Sequence, residues 1–156
     1  MMMNELCMTV QASDPARTIV SNKKRGDSLE KKRSILIVDD AETIRFFLKT
    51  TLKSEGFNVF EADNVVNGFK QLGEESIDLV ILDLGLPDMD GMEMLEALHY
   101  DEPSLPVIIF TVRDDRETKI KAYEFGARGY ITKPFDIDEI LDTITSILDC
   151  DPNAKL

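Results

Sequence analysis

Ile35-Leu36-Ile37-Val38-Asp39-Asp40 is the stretch that decides how this 156-residue chain folds: four branched apolar residues run directly into two carboxylates. A short unbroken apolar run is what a strand covered on both faces requires. The plan recurs, with Leu79-Val80-Ile81-Leu82 leading into Asp83, Val107-Ile108-Ile109-Phe110 into Thr111, and Tyr130-Ile131-Thr132 into Lys133-Pro134. Carboxylates at the ends of core strands are costly unless a cation or a hydrogen-bond donor answers them. The pattern therefore points to a site for a hard metal and a phosphoryl group.

Working outward, short apolar runs alternate with amphipathic segments from residue 34 onward, the signature of βα units around a mostly parallel sheet. The pattern predicts strands at 34–39, 58–62, 78–83, 106–111 and 129–132. It predicts helices at 41–55, 64–73, 91–99, 115–125 and 137–148. The first helix offers Ile44, Phe47 and Leu48 as an apolar face, and the last offers Ile137, Ile140, Leu141, Ile144 and Leu148. Asp114 with Glu117, and Asp136 with Glu139, have the spacing of a helix N-cap followed by an acidic third residue. Gly56 and Gly126 are expected helix stops.

Composition narrows the function. The hydrophobic fraction of 43% supports one ordinary domain. A net charge of -12 opposes a general electrostatic grip on nucleic acid or on an anionic membrane. The charge is uneven, since residues 1–33 carry seven Lys/Arg against four Asp/Glu while residues 34–156 carry eleven against twenty-six. Residues 1–33 read as a flexible basic extension without sustained periodicity, and 151–156 as a short tail. Cys7 and Cys150 lie far apart without metal-ligand spacing, which favours a reducing compartment. With no secretory start and no bilayer-length apolar run, a cytoplasmic protein is expected.

In a parallel βα sheet the C-terminal ends of the strands gather on one edge, where ligands bind. Asp39, Asp40, Asp83, Thr111 and Lys133 would converge there. Three carboxylates repel unless protonated or neutralised, and oxygen ligands favour Mg2+ or a similar hard ion. Taken singly, Asp39-Asp40 also suit a loop start and helix cap, and Asp83 suits a turn. Jointly, those readings leave Thr111 and Lys133 unexplained.

These residues resemble the receiver domain of bacterial two-component response regulators across residues 34–150. The matching pieces are Ile37-Val38-Asp39-Asp40, then Asp83-Leu84-Gly85-Leu86-Pro87-Asp88-Met89-Asp90-Gly91, the strand ending in Thr111, and Gly126-Ala127-Arg128-Gly129-Tyr130-Ile131-Thr132-Lys133-Pro134-Phe135. The resemblance implies a flavodoxin-like α/β fold, a doubly wound five-stranded parallel sheet of order 2-1-3-4-5. It implies Asp83 as phosphoacceptor and Asp39, Asp40, Asp83 and the Gly85 backbone carbonyl as holders of Mg2+ or Mn2+. Lys133 would contact the phosphoryl group, and Thr111 and Tyr130 would act as switch residues. Gly85, Val112 and Arg113 occupy positions that tune rates; Val112 stands where the family usually has a smaller residue such as Ala.

On that resemblance the chain takes a phosphoryl group from a histidine kinase or histidine phosphotransfer protein. It has self-phosphotransfer and autodephosphorylation character without being a conventional enzyme. Output is expected through protein binding at the surface of the fourth helix, fifth strand and fifth helix, by a stand-alone, chemotaxis-regulator-like receiver. Glu139 to Thr145 lack Arg and Lys, which argues for a monomer. The competing class is an interaction module of the same fold that works without phosphorylation. A phosphatase-like hydrolase would need a further acid or base, and the single histidine, His99, is expected on the third helix away from the crevice. Tyr130 also has a plainer reading, a half-buried strand aromatic with its hydroxyl in water.

Overall fold

The computed structural model describes residues 31–150. The expected extension up to residue 30, with Cys7, and the expected tail 151–156 lie outside the described residues. The elements alternate in chain order: β1 (Ser34–Val38), α1 (Glu42–Ser54), β2 (Asn58–Ala62), α2 (Val65–Glu74), β3 (Leu79–Leu82), α3 (Gly91–Asp101), β4 (Val107–Thr111), α4 (Arg116–Glu124), β5 (Gly129–Thr132) and α5 (Ile137–Asp149). Every strand pairing is parallel, and the sheet order is β2-β1-β3-β4-β5, as expected. The boundaries differ from the sequence reading by two residues at most.

Burial explains why the three central strands are apolar between their ends. Leu36, Val38, Val80, Leu82, Val107 and Ile109 face a core shared with α2, α3 and α4. Their neighbours in sequence, Ile35, Ile37, Leu79, Ile81, Ile108 and Phe110, face a second core shared with α1 and α5. Each such side chain contributes about 2 kcal/mol by leaving water, and the buried polar residues of these strands, Ser34 and Thr111, stand only at strand ends. The edge strand β2 is exposed to half-buried along most of its length and accepts Asn58 and Glu61.

Two local expectations need correction. The N-cap of α4 is Asp115, whose carboxylate accepts the Thr118 N–H at 2.9 Å. Asp114 turns outward to Lys119 at 2.8 Å. On α1 the fully buried residues are Leu48 and Leu52, whereas Phe47 is largely exposed and leans on the Phe135 ring, 5.8 Å between centroids. The predicted stops hold: Gly56 and Gly126 have φ of 96° and 98°, a region that side chains strain to reach. At Gly126 a side chain would also collide with His99.

Candidate functional site

The sheet brings the site together by extending its own hydrogen bonding one step past the strands. The Asp39 N–H donates to the Ala62 carbonyl at 3.1 Å, the Asp83 N–H to Val38 at 2.9 Å, and the Lys133 N–H to Thr111 at 2.8 Å. Each chemical residue thus sits on backbone as fixed as a core strand. Carboxylate oxygens of Asp39, Asp40 and Asp83 lie within 4.8 Å of one another. Asp39 and Asp83 are 1% and 7% exposed, and Asp40 is open to solvent.

Lys133 is the cation that answers this charge. Its Nζ donates to Asp39 Oδ2 at 2.7 Å and to Asp83 Oδ2 at 3.4 Å. Its Nζ also lies over the Phe110 ring, 5.1 Å from the centroid. Asp39 Oδ1 accepts the Ala41 N–H at 2.9 Å. Burial pushes the Asp39 carboxyl above the ordinary carboxylate range even so; Lys133 and the Ala41 N–H pull it down, and the Asp83 charge adds to the rise.

The donor set fits a hard divalent cation. It is all oxygen, and three carboxylates around one ammonium leave negative charge that a cation would neutralise. Gly85 stands in the β3–α3 loop two residues beyond Asp83. Its N–H donates to Asp83 Oδ1 at 3.2 Å, and its backbone pairs with Asp90.

The other wall is the β4–α4 loop. Thr111 is buried, and its Oγ1 accepts the Arg113 N–H at 3.5 Å. The Arg113 guanidinium crosses to the facing loop, donating to Asp90 Oδ2 at 3.3 Å and to the Leu84 carbonyl at 3.5 Å. Tyr130 departs from its plainer reading, because its hydroxyl donates to the Arg113 carbonyl at 2.8 Å. Burial raises its pKa, and the Asp115 charge adds to that. Val112, 70% exposed, stands on the rim. His99 lies near the end of α3 against Gly126, apart from the carboxylates.

Several supporting residues were not foreseen. Arg45 Nη1 donates to the Asp39 carbonyl at 2.7 Å while its Nε reaches Glu61. Lys49 pairs with the same Glu61. Burial opposes the Glu61 charge, but Lys49 and Arg45 outweigh it and hold its pKa low. The i, i+4 spacing of Arg45 and Lys49 was the available signal. Gly91 is a further supporting residue: its N–H donates to the Leu84 carbonyl at 2.8 Å, and any side chain there would strike the Asp83 carbonyl oxygen.

The family model described as "Response regulator receiver domain" matches residues 35–145. The chain belongs to this family. It is similar to the KDP operon transcriptional regulatory protein KdpE of Escherichia coli, 42% identical over 107 residues, 69% of this chain and 47% of that protein. The DNA-binding transcriptional regulator NtrC of Proteus hauseri is 40% identical over 115 residues, 72% of this chain and 24% of that protein. This receiver chain thus spans half or less of the length of these curated relatives. Among solved structures, the CheY-like response regulator receiver domain protein of Methanospirillum hungatei superposes with a TM-score of 0.75 at 32% identity, covering 79% of this chain and 98% of that one. The chain is therefore homologous to two-component response regulators, and receiver domains generally use Mg2+ at such an acidic pocket.

Proposed function

We propose that Asp83 accepts a phosphoryl group from the phosphohistidine of a histidine kinase or histidine phosphotransfer protein, and that the modified chain signals by binding another protein. The observation that carries this reading is the convergence of Asp39, Asp40 and Asp83 from two strand ends, with Lys133 from a third bonded to two of them.

An Asp83 carboxylate oxygen attacks phosphorus, the P–N bond to the donor imidazole breaks, and the nitrogen keeps the electron pair and takes a proton. The product is an acyl phosphate. Asp39, Asp40, Asp83 and the Gly85 carbonyl would hold Mg2+ or Mn2+, which when bound offsets the negative charge of the transferring group. Lys133 supplies a fixed positive charge at the same place. Water attack on phosphorus later releases phosphate and restores Asp83, with Gly85, Val112 and Arg113 setting the rate through access.

Thr111 donates its hydroxyl to a phosphoryl oxygen, which draws the β4–α4 loop inward. Tyr130 carries that movement outward, because it holds the Arg113 carbonyl at one end and belongs to β5 at the other. The partner docks on the α4–β5–α5 surface. The chain acts as a cytoplasmic monomer, where ATP-charged kinases present phosphohistidine; among the described residues no helix is long and apolar enough to cross a membrane.

The test is intact mass of the full chain incubated with Mg2+ and a small acyl phosphate or a phosphorylated histidine protein. One phosphoryl group is expected on the wild type and none on Asp83→Asn. Absence of label from every donor, with partner binding intact, would favour the phosphorylation-independent module.

A further inference from the structure

The residue that fixes the β3–α3 loop does so from outside the site. Asp88 reaches across to the start of α2, where its Oδ1 accepts the Val65 N–H at 2.9 Å and its Oδ2 accepts the Val66 N–H at 3.0 Å. The Asn64 side chain accepts the next one, from Asn67, at 2.7 Å. The first three N–H groups of a helix have no partner within it. In α2 two of the three are answered by a residue 22 and 23 positions further along the chain.

The loop from Leu84 to Asp90 carries Gly85, and it is held on three sides. Asp88 ties it to α2. Gly85 and Asp90 pair across its neck, and Arg113 grips Asp90 and the Leu84 carbonyl. Among these ties the Asp88 carboxylate is distinctive, because both its oxygens take backbone donors on a separate element. The Val65 N–H holds the Asp88 pKa below the ordinary range, burial opposes it, and the Val66 N–H adds to the lowering, so the anion is the form that grips.

We infer that Asp88 is a positioning residue for the divalent cation: clamped on α2, it sets where the loop presents the Gly85 carbonyl. This rests on the proposed function, since it presumes that the carboxylates and Gly85 hold an ion. Asp88 touches neither the ion nor phosphate. It acts through the loop, as outer supports of a metal ligand do.

The test is Mn2+ affinity of the full chain, read by the loss of the free-ion paramagnetic resonance signal. Asp88→Ala is compared with Asn64→Ala, which removes a cap from the same helix end and leaves the loop alone. Asp88→Ala is expected to weaken Mn2+ binding about tenfold, the lower end of what losing an outer support costs, with Asn64→Ala near wild type. Asp88→Asn, which keeps one acceptor oxygen, is expected between the two. Equal weakening in Asp88→Ala and Asn64→Ala, or none in either, would overturn the inference while leaving the ion site standing. A wild-type chain that takes up no Mn2+ would remove both the inference and the proposed function. Amide spectra showing the Val65 and Val66 resonances moved and the β1–β3 amides unmoved establish that Asp88→Ala is folded; a variant that fails this is replaced by Asp88→Asn, judged by the same affinity comparison.

Discussion

α4 and α5 flank the same edge strand on opposite faces of the sheet, and they are held in opposite ways. α5 buries Ile140, Ile144 and Leu148, a continuous stripe against the β-sheet. α4 buries only Ala122 and leaves Ile120 46% and Tyr123 51% exposed. What fixes α4 is polar and peripheral: the Asp115 cap, the Lys119–Asp114 pair, and the Tyr130 hydroxyl on the loop just before it. Hydrophobic attachment is strong and indifferent to direction, whereas a few hydrogen bonds can be exchanged for others at little net cost. The helix beside the mouth of the site is the one the fold can spare, and local stability differs accordingly.

The sharpest way to break this comparison is to truncate each anchor. Ile144→Ala is expected to destabilise the protein by about 3 kcal/mol, in the range for deleting a buried branched side chain. Ala122→Gly on α4 is expected to cost about 1 kcal/mol. Urea unfolding measures both, and equal losses would mean that α4 is anchored as firmly as α5.

Tyr130→Phe removes the hydroxyl that holds the Arg113 carbonyl and keeps the ring. The expected loss is about 1 kcal/mol, typical of a single hydrogen bond. Faster amide exchange should accompany it, confined to the β4–α4 loop and α4. Exchange rising equally in α5 would contradict the division.

Acid should separate the helices further. The Thr118 hydroxyl and N–H hold the Asp115 pKa below the ordinary range. Stability from a carboxylate lowered in the folded state is fully present above its unfolded pKa and is lost as pH falls through the folded value. α4 should therefore fray as acid reaches Asp115, seen as loss of its amide protection at a pH where α5 stays protected. Asp39 works in the opposite sense: its raised pKa lets the folded chain hold a proton that the unfolded chain has released, so acidification through that window adds stability.

The smallest effect is expected from Val112→Ala. With most of its surface in solvent, Val112 restricts access to Asp83 only at the rim, so phosphorylation by a small donor and hydrolysis should each rise modestly, and by similar factors. Rates unchanged within error would remove the steric role.

The sheet and the five residues at its edge, Asp39, Asp40, Asp83, Thr111 and Lys133, could be read from the chain because each depends on a local signal, an apolar run with a polar end. The errors have equally local causes. Asp114 and Asp115 are adjacent and each has a plausible partner three residues on, Glu117 or Thr118, so spacing alone does not choose between them. Phe47 satisfies the helical period, yet its ring is left over after Leu48 and Leu52 have filled the space against the sheet. The Asp88 clamp and the Tyr130 hydrogen bond were invisible for another reason. They join residues about twenty positions apart whose meeting depends on how the loops close, and no periodicity encodes that.

Gly91 has a mechanical consequence. A Cβ there would collide with the Asp83 carbonyl oxygen and the Leu84 Cα, so the end of β3 and the start of α3 pack backbone to backbone. On the proposed function, a bulky dianion added to Asp83 would meet this close backbone contact on one side. On that reading the opposite bank is the side that would yield, and a glycine with no chemistry of its own would give the signal its direction.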